Sequence, residues 1–418
     1  MARAALLLSI ALWAWTGCDR AGSAAGSTTG TAGRAQETAS ASASVGGSAS
    51  ASVGGSASAS VGGSASASVG AVAASAEPRE PELVVVAGGD VSFGRLRGDR
   101  LLREPGRDDF ATVRRIMDPV DLRFVNLEST ISDQGETQSP INKLVFTAPP
   151  PAAGALSRAG IDIVALANNH AWDYGRDALF ETFERLDAAG VAYVGAGRSI
   201  EEAYAPRVVE AAGHRVAFVA VTDIWNQEIS PHPGKQYIAD AELEPLVAAV
   251  KKARGMDDVD VVIVSHHGGY EYVDQPHEET RALLRAAIDA GADAVIGHHP
   301  HVLQRVAFYR GKPILYSLGN FLMRMVTGKP WTEYGALARL TFGSAGTPRV
   351  ELCPYRIFGF DPLLLSDDER KDFYQQSFRF TFDRLQRQGA VIDPATAATM
   401  GDFAEDGCAP VTPGGGSR

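Results

Sequence analysis

Cysteine is scarce in this chain: three residues in 418, so at most one intrachain disulfide is possible. Basic blocks are missing. Lys and Arg total 39 against 50 Asp and Glu, a formal charge of −11, and without a clustered cationic footprint no nucleic-acid partner is expected. Beyond the first residues no apolar run is long enough to span a bilayer. No Ser-His-Asp or Cys-His arrangement competes as a nucleophilic site. Large apolar side chains are almost absent from residues 20–81, which excludes a packed core there. What remains is a 45% apolar composition ordinary for a globular protein. It includes nine histidines, most of them gathered in a few short segments.

The N-terminus reads as a targeting segment. Arg3 precedes an apolar run from Ala4 to Trp15, which ends in Thr16-Gly17-Cys18. Charge, length and small residues before a cysteine resemble a bacterial lipoprotein signal. Residues 1–18 are therefore expected to be a signal peptide, with Cys18 acylated and the protein held at the cell envelope, on its periplasmic or outer face. Residues 19–81 are a Ser/Ala/Gly linker in which Ser-Ala-Ser-Ala-Ser-Val-Gly-Gly repeats from Ser40, Ser48 and Ser56. A disordered tether of this kind spans roughly 45 Å as a random coil. With Cys18 assigned to lipid, Cys353 and Cys408 are left as one pair that an oxidising compartment would allow to bridge.

From Glu82 the pattern changes to strands alternating with helices, an α/β class with layered sheets. Apolar runs at Leu83–Ala87, Leu122–Val125, Ile161–Ala167, Val191–Val194, His214–Val221, Asp260–Val264 and Ala294–Ile296 predict strands. Helices are expected over 108–117, 176–189, 242–253, 278–290 and 367–387. A hairpin is expected around Arg310-Gly311, and an antiparallel pair at 336–342 and 349–356. The folded domain is read as 82–390 and the tail as 391–418, loose from Val411.

The chemistry gathers just beyond the strands. Asp90, Glu128, Asn169, His170, His266, His299 and His301 each follow one, and open α/β sheets build their sites at carboxyl strand ends. Six of the nine histidines lie in these segments. His214, His232 and His277 do not, and read as surface or packing residues. Carboxylates, imidazoles and an amide oxygen suit a borderline divalent ion such as Mn, Zn or Fe. There are enough donors for one or two ions, which would activate water for attack on an acyl or phosphoryl centre.

The ordered motifs are Gly89-Asp90-Val-Ser-Phe-Gly-Arg95, Asn126-Leu-Glu128, Ala167-Asn-Asn-His170-Ala-Trp-Asp173-Tyr-Gly175, His266-His-Gly268, Gly297-His-His-Pro-His301 and Tyr316-Ser-Leu-Gly-Asn320-Phe. Over residues 83 to 360 this series resembles the CapA family, named for capsule and poly-γ-glutamate biosynthesis. The resemblance implies a metallophosphoesterase-like α-β-β-α fold, a two-sheet sandwich flanked by helices. It further implies that Asp90, Glu128 and His301 hold one metal and Glu128, Asn169, His266 and His299 another. His170 would act on the leaving group, with Asp173 behind it. Arg95, Asn126, Asn168, His267, Glu271, His298 and Asn320 would contact substrate or support the ligands, Glu271 by orienting a histidine. Two departures stand out. Ser92 occupies the place of the His in the metallophosphoesterase Asp-x-His motif, and His267 the place of the family's Trp.

Three functions remain open at this point. One is synthesis, anchoring or processing of an anionic surface polymer or its precursor through a metal-dependent hydrolase or transferase site. The second is a metal-dependent phosphoesterase. The third is a non-catalytic accessory to a polymer synthase or export complex.

Overall fold

The computed structural model of the chain describes residues 82–138, 144–227, 230–344, 346–373 and 398–414. The expected signal, Cys18 and the linker lie outside these residues.

The strand Leu83–Val91 is the axis of the first sheet. It is apolar on both faces because both are covered, as its burial along nearly the whole length shows. Leu122–Leu127, Ile163–Ala165 and Ala192–Val194 follow it in parallel on one side. On the other side Tyr334–Phe342, Arg349–Phe358, Ala409–Pro413 and Ala398–Met400 continue the sheet antiparallel. A short strand, Asn320–Leu322, lies parallel to the end of 83–91 and pairs Asn320 with Asp90. In the second sheet His214–Thr222, Val261–His267, Ala294–His298 and Lys312–Leu315 run parallel. It is edged by Arg207–Ala211 and Val306–Tyr309, each antiparallel to its neighbour.

The two sheets pack face to face. Phe124 of the first stacks on Phe218 of the second with ring centroids 5.4 Å apart, and each buried ring contributes about 2–3 kcal/mol relative to exposure. The outer face of the second sheet buries Val262, Val264 and Val295 against Leu246 and Val250 of helix Leu243–Arg254 and Leu284 and Ile288 of helix Glu278–Ala290. Helix Gly175–Ala189 covers the first sheet, with Phe183 stacked on Tyr193. This is the α/β two-sheet sandwich flanked by helices that the alternating pattern predicts.

Several local expectations change. The helix expected over 108–117 is a 3-10 turn, Ala111–Val113, leading into one helical turn, Arg114–Met117. The hairpin turn falls at Arg310-Gly311 as expected, both with positive φ (50° and 76°), the type that suits two-residue strand connections. The helix expected from 367 begins as Asp367–Phe373; its remainder lies outside the described residues. The tail is not loose from Val411, because Ala409–Pro413 joins the first sheet and pairs Leu352 with Ala409. A disulfide between Cys353 and Cys408 anchors it there.

That bridge closes a long loop, so reduction is expected to cost about 4 kcal/mol for its 55-residue separation. Urea unfolding with and without reductant measures it; coincident midpoints would contradict the prediction.

One glycine positions the site. A Cβ at Gly89 would lie 1.8 Å from the Gly319 carbonyl oxygen. Only a bare backbone lets 83–91 approach that turn, where the Asp90 N–H donates to Gly319 O at 3.1 Å.

Candidate metal centre

Parallel strands from two sheets end in one place, and their following residues converge on Asp90 and Glu128. Both carboxylates are fully buried. Asp90 Oδ1 accepts from Asn126 Nδ2 at 2.9 Å. Its other partners are His298 Nδ1 at 3.4 Å from Oδ1 and His301 Nδ1 at 3.5 Å from Oδ2, with the His299 N–H donating to Oδ2 at 3.4 Å. Burial pushes the Asp90 carboxyl upward, but His298 and His301 outweigh it and hold Asp90 well below the usual range.

Glu128 is in the reverse position. Neither carboxylate oxygen accepts a hydrogen bond among the described residues. Around Oε1 stand His170 Nε2 at 3.8 Å, His301 Nε2 at 3.8 Å and His267 Nε2 at 4.0 Å. Burial and then Asp90 push this carboxyl well above its ordinary value. A fully buried carboxylate with no donor, ringed by imidazole nitrogens, is costly unless a cation completes it. His299 Nδ1 is a further buried atom without a hydrogen bond. The donor set therefore fits a divalent ion, and Asp90, Glu128 and His267 offer ligand atoms within 4.8 Å of one another.

His267, not His266, meets this cluster. Alternate residues of a strand face opposite sides. On 261–267 the set Ile263, Ser265, His267 faces the space between the sheets, whereas Val264 and His266 face the helices. His266, expected as a ligand beside Glu128, stands apart from it: its Nε2, buried and without a hydrogen bond among the described residues, lies 3.4 Å from Asp223. His267 instead contacts Asn169 Oδ1 through Nε2 at 2.8 Å, with its Nδ1 3.2 Å from Asn126 Nδ2. Its ring centre is 5.0 Å from that of His299. Burial lowers the His267 pKa well below the ordinary value, keeping it neutral as a ligand must be.

The supporting shell is dense. Asn320 donates from Nδ2 to the carbonyls of His301 and Thr332 at 3.2 and 3.0 Å, so its Oδ1, 2.9 Å away, accepts from His301 Nδ1. That leaves His301 Nε2 directed at Glu128, the orientation second-shell partners impose on metal-binding imidazoles. Asn168 donates to Asn126 Oδ1 and Leu127 O and accepts from the His170 N–H. His299 and His301 have positive φ, 95° and 55°, a backbone state found for such residues mainly at functional loops.

His170 heads a hydrogen-bonded chain. Its Nδ1 is 2.6 Å from Asp173 Oδ2, which also accepts from Phe146 N at 2.7 Å. Asp173 Oδ1 accepts from Gln227 Nε2 at 2.9 Å, and Gln227 Oε1 is 2.8 Å from His232 Nε2. His232 Nδ1 accepts from the Gly234 N–H, which places the ring proton on Nε2. Burial, then Lys235, lowers His232 to about 4. His232 is thus a buried end of the site's network, where the sequence suggested a surface or packing residue. Asn226, which accepts from Asn169 and lies 3.2 Å from His170 Nδ1, was likewise unforeseen.

Other expected positions divide. Glu271 is exposed and orients no histidine among the described residues; Asn320 does this for His301. Ser92 Oγ accepts from Gly94 N at 3.3 Å, which commits it to the turn. Arg95 is exposed on the rim, its guanidinium 5.9 Å from the Phe146 ring centre.

Burial lowers His301, but Glu128 and Asp90 outweigh it and raise the group to about 9. The raised value stabilises the metal-free fold below pH 6.5, a contribution lost as pH rises through about 9. A cation has to expel this proton, so metal affinity is expected to change in the opposite sense, rising up to about ten-fold per pH unit until about pH 9. Indicator-dye measurement of protons released on loading tests this. No release at pH 7 would contradict it.

Residues 84–325 match the bacterial capsule synthesis protein PGA_cap family. The PGA biosynthesis protein CapA of Bacillus subtilis is 29% identical over 285 residues, 68% of this chain and 74% of that one. A probable polyglutamine synthesis accessory protein of Mycobacterium tuberculosis is 31% identical over 289 residues, covering 57% and 74%. Among solved structures, Haemophilus influenzae NAD nucleotidase aligns over 74% of this chain and 59% of its own at 11% identity, with a TM-score of 0.39.

Proposed function

The chain belongs to the bacterial capsule synthesis protein family, and from that premise we propose that it processes an anionic surface polymer or its precursor at a divalent-metal hydrolase or transferase centre. The observation that carries this reading is Glu128: a fully buried carboxylate without a hydrogen-bond donor, facing three imidazole nitrogens. In this reading Asp90, Glu128 and His301 hold one ion, and Glu128, Asn169, His267 and His299 a second. Such an ion supplies Lewis-acid polarisation of an acyl or phosphoryl oxygen and acidifies water. The chain's own residues do the rest. His170, held in one tautomer and orientation by Asp173, moves a proton at the leaving group through Nε2. Asn320 and Asn126 keep His301 and Asp90 in place. Export through residues 1–18, acylation at Cys18 and a reach supplied by the 19–81 tether complete the proposal, with synthase or export components as further partners.

The name of the mycobacterial relative favours an accessory role as the second reading. A phosphoesterase is the third. Full-length chain loaded with Mn or Zn, assayed on poly-γ-glutamate and on a chromogenic phosphodiester, separates them. Shortening of the polymer supports the proposal. Phosphodiester turnover alone would move the assignment to a phosphoesterase, and bound metal without turnover of either would favour the accessory role.

A further inference from the structure

Two cations on the rim have no carboxylate partner among the described residues, in a chain with a net charge of −11. Arg95 lies over the Phe146 ring at 5.9 Å, and Phe146 lies against His170 with ring centres 4.2 Å apart. Lys329 Nζ lies over the Tyr272 ring at 3.9 Å, and Tyr272 is 6.3 Å from the His301 ring. His170 follows a strand of the first sheet and His301 a strand of the second, and each points Nε2 at Glu128 Oε1 from 3.8 Å. The same arrangement, a cation on an aromatic ring beside a site histidine, is thus built twice from unrelated segments.

Both arms are fixed. Arg95 begins helix Arg95–Arg103, which the buried Arg97–Asp109 ion pair anchors at 3.0 Å. The Tyr272 N–H donates to Pro300 O at 2.8 Å, between His299 and His301. Lys329 O accepts from Thr332 N, and Thr332 O accepts from the Asn320 amide that orients His301. Arg95 (φ 56°) and Tyr272 (φ 65°) both occupy left-handed backbone that is uncommon for non-glycine residues, a state that persists where surrounding structure enforces it. Among the described residues neither cation is spent on folding through an ion pair. Each keeps its hydrogen-bonding capacity for a ligand, while the ring beneath supports it through cation–π attraction.

We propose that Arg95 and Lys329 are two carboxylate-reading positions that seat an anionic polymer across the centre, one repeat bound on the His170 arm and another on the His301 arm. The inference rests on the polymer reading above and adds its specificity determinants. Arg95 presents a planar fork suited to bidentate contact with a carboxylate, and Lys329 a point charge. An uncharged chain of the same backbone gains nothing from either.

Calorimetric titration of the full-length chain with poly-γ-glutamate tests the proposal, with neutral poly-γ-glutamine and polyphosphate as comparison ligands. Lys329→Gln and Arg95→Gln are each expected to weaken poly-γ-glutamate binding about ten- to hundred-fold, as for a lost hydrogen bond to a charged group. Both variants should retain their metal content, and poly-γ-glutamine should bind the wild type far more weakly than the acid polymer. Unchanged affinity in both variants, equal affinity for the neutral polymer, tighter binding of polyphosphate, or no saturable binding by the wild type would each overturn it. Loss of turnover with this binding contrast intact would instead count against the hydrolase reading alone.

Discussion

Glu128→Gln is expected to abolish metal retention while leaving the metal-free protein at least as stable as wild type above about pH 9, where the support Glu128 gives to protonated His301 no longer counts. The side chain has no hydrogen-bond donor among the described residues and no exposure. A group kept for folding alone would be partnered. Glutamine has the same size and removes a buried acid that burial and Asp90 already push towards its neutral form. The gain in the metal-free state should be a few degrees in Tm, about what 1 kcal/mol gives a domain of this size. It should be clearest above pH 9, where His301 no longer carries the proton that Glu128 supports. Loss of metal together with a gain of stability is the signature of a binding residue. A Glu128→Gln protein that unfolds more easily at every pH would instead identify Glu128 as a structural acid.

The second large effect is expected at His170. His170→Asn should lower turnover about a hundred- to ten-thousand-fold, the usual range for a lost general acid or base, with metal content unchanged. Asp173→Asn should reduce turnover in the same assay by releasing the ring tautomer that the 2.6 Å contact fixes. Because Gln227 bridges Asp173 to His232, Gln227→Leu should shift the pH profile of turnover more than it lowers its maximum. A merely structural Gln227 would leave that profile in place. Equal turnover in wild type and His170→Asn would remove His170 from the chemistry.

The sequence made the gathering of these groups legible, and the structure shows why. Strand ends marked by Asp90, Glu128, Asn169, His170, His299 and His301 are local features. Parallel topology brings carboxyl strand ends together whatever the details of the connections. The choice between His266 and His267 was less accessible because it depends on where a strand stops. A strand ending at Val264 says nothing about the next three side chains. The observed strand runs to His267, and continuing the alternation from Ile263 through Ser265 would have turned His267 inward. His232, Gln227 and Asn226 carry no such periodic signal. They lie in the connection between His214–Thr222 and Leu243–Arg254, and only the folded backbone brings them to Asp173, 54 residues from Gln227. Glu271 and Asn320 competed for one role, orienting a histidine. The Asn320↔Asp90 pairing, between positions 230 residues apart by their numbering, decided it, and no local pattern encodes such a pairing. The tail strand 409–413 was hidden for the same reason: its partner is Arg349–Phe358, across the segment closed by the disulfide.

The central claim is that these buried groups form a divalent-metal centre, and metal content tests it most directly. Full-length protein saturated with Mn or Zn, freed of excess ion and measured by elemental analysis, is expected to hold at least one transition metal per chain, and the His299→Ala, His301→Ala double variant essentially none. A wild-type chain that retains no metal at saturating Mn or Zn, or a double variant that retains as much as wild type, would contradict the account.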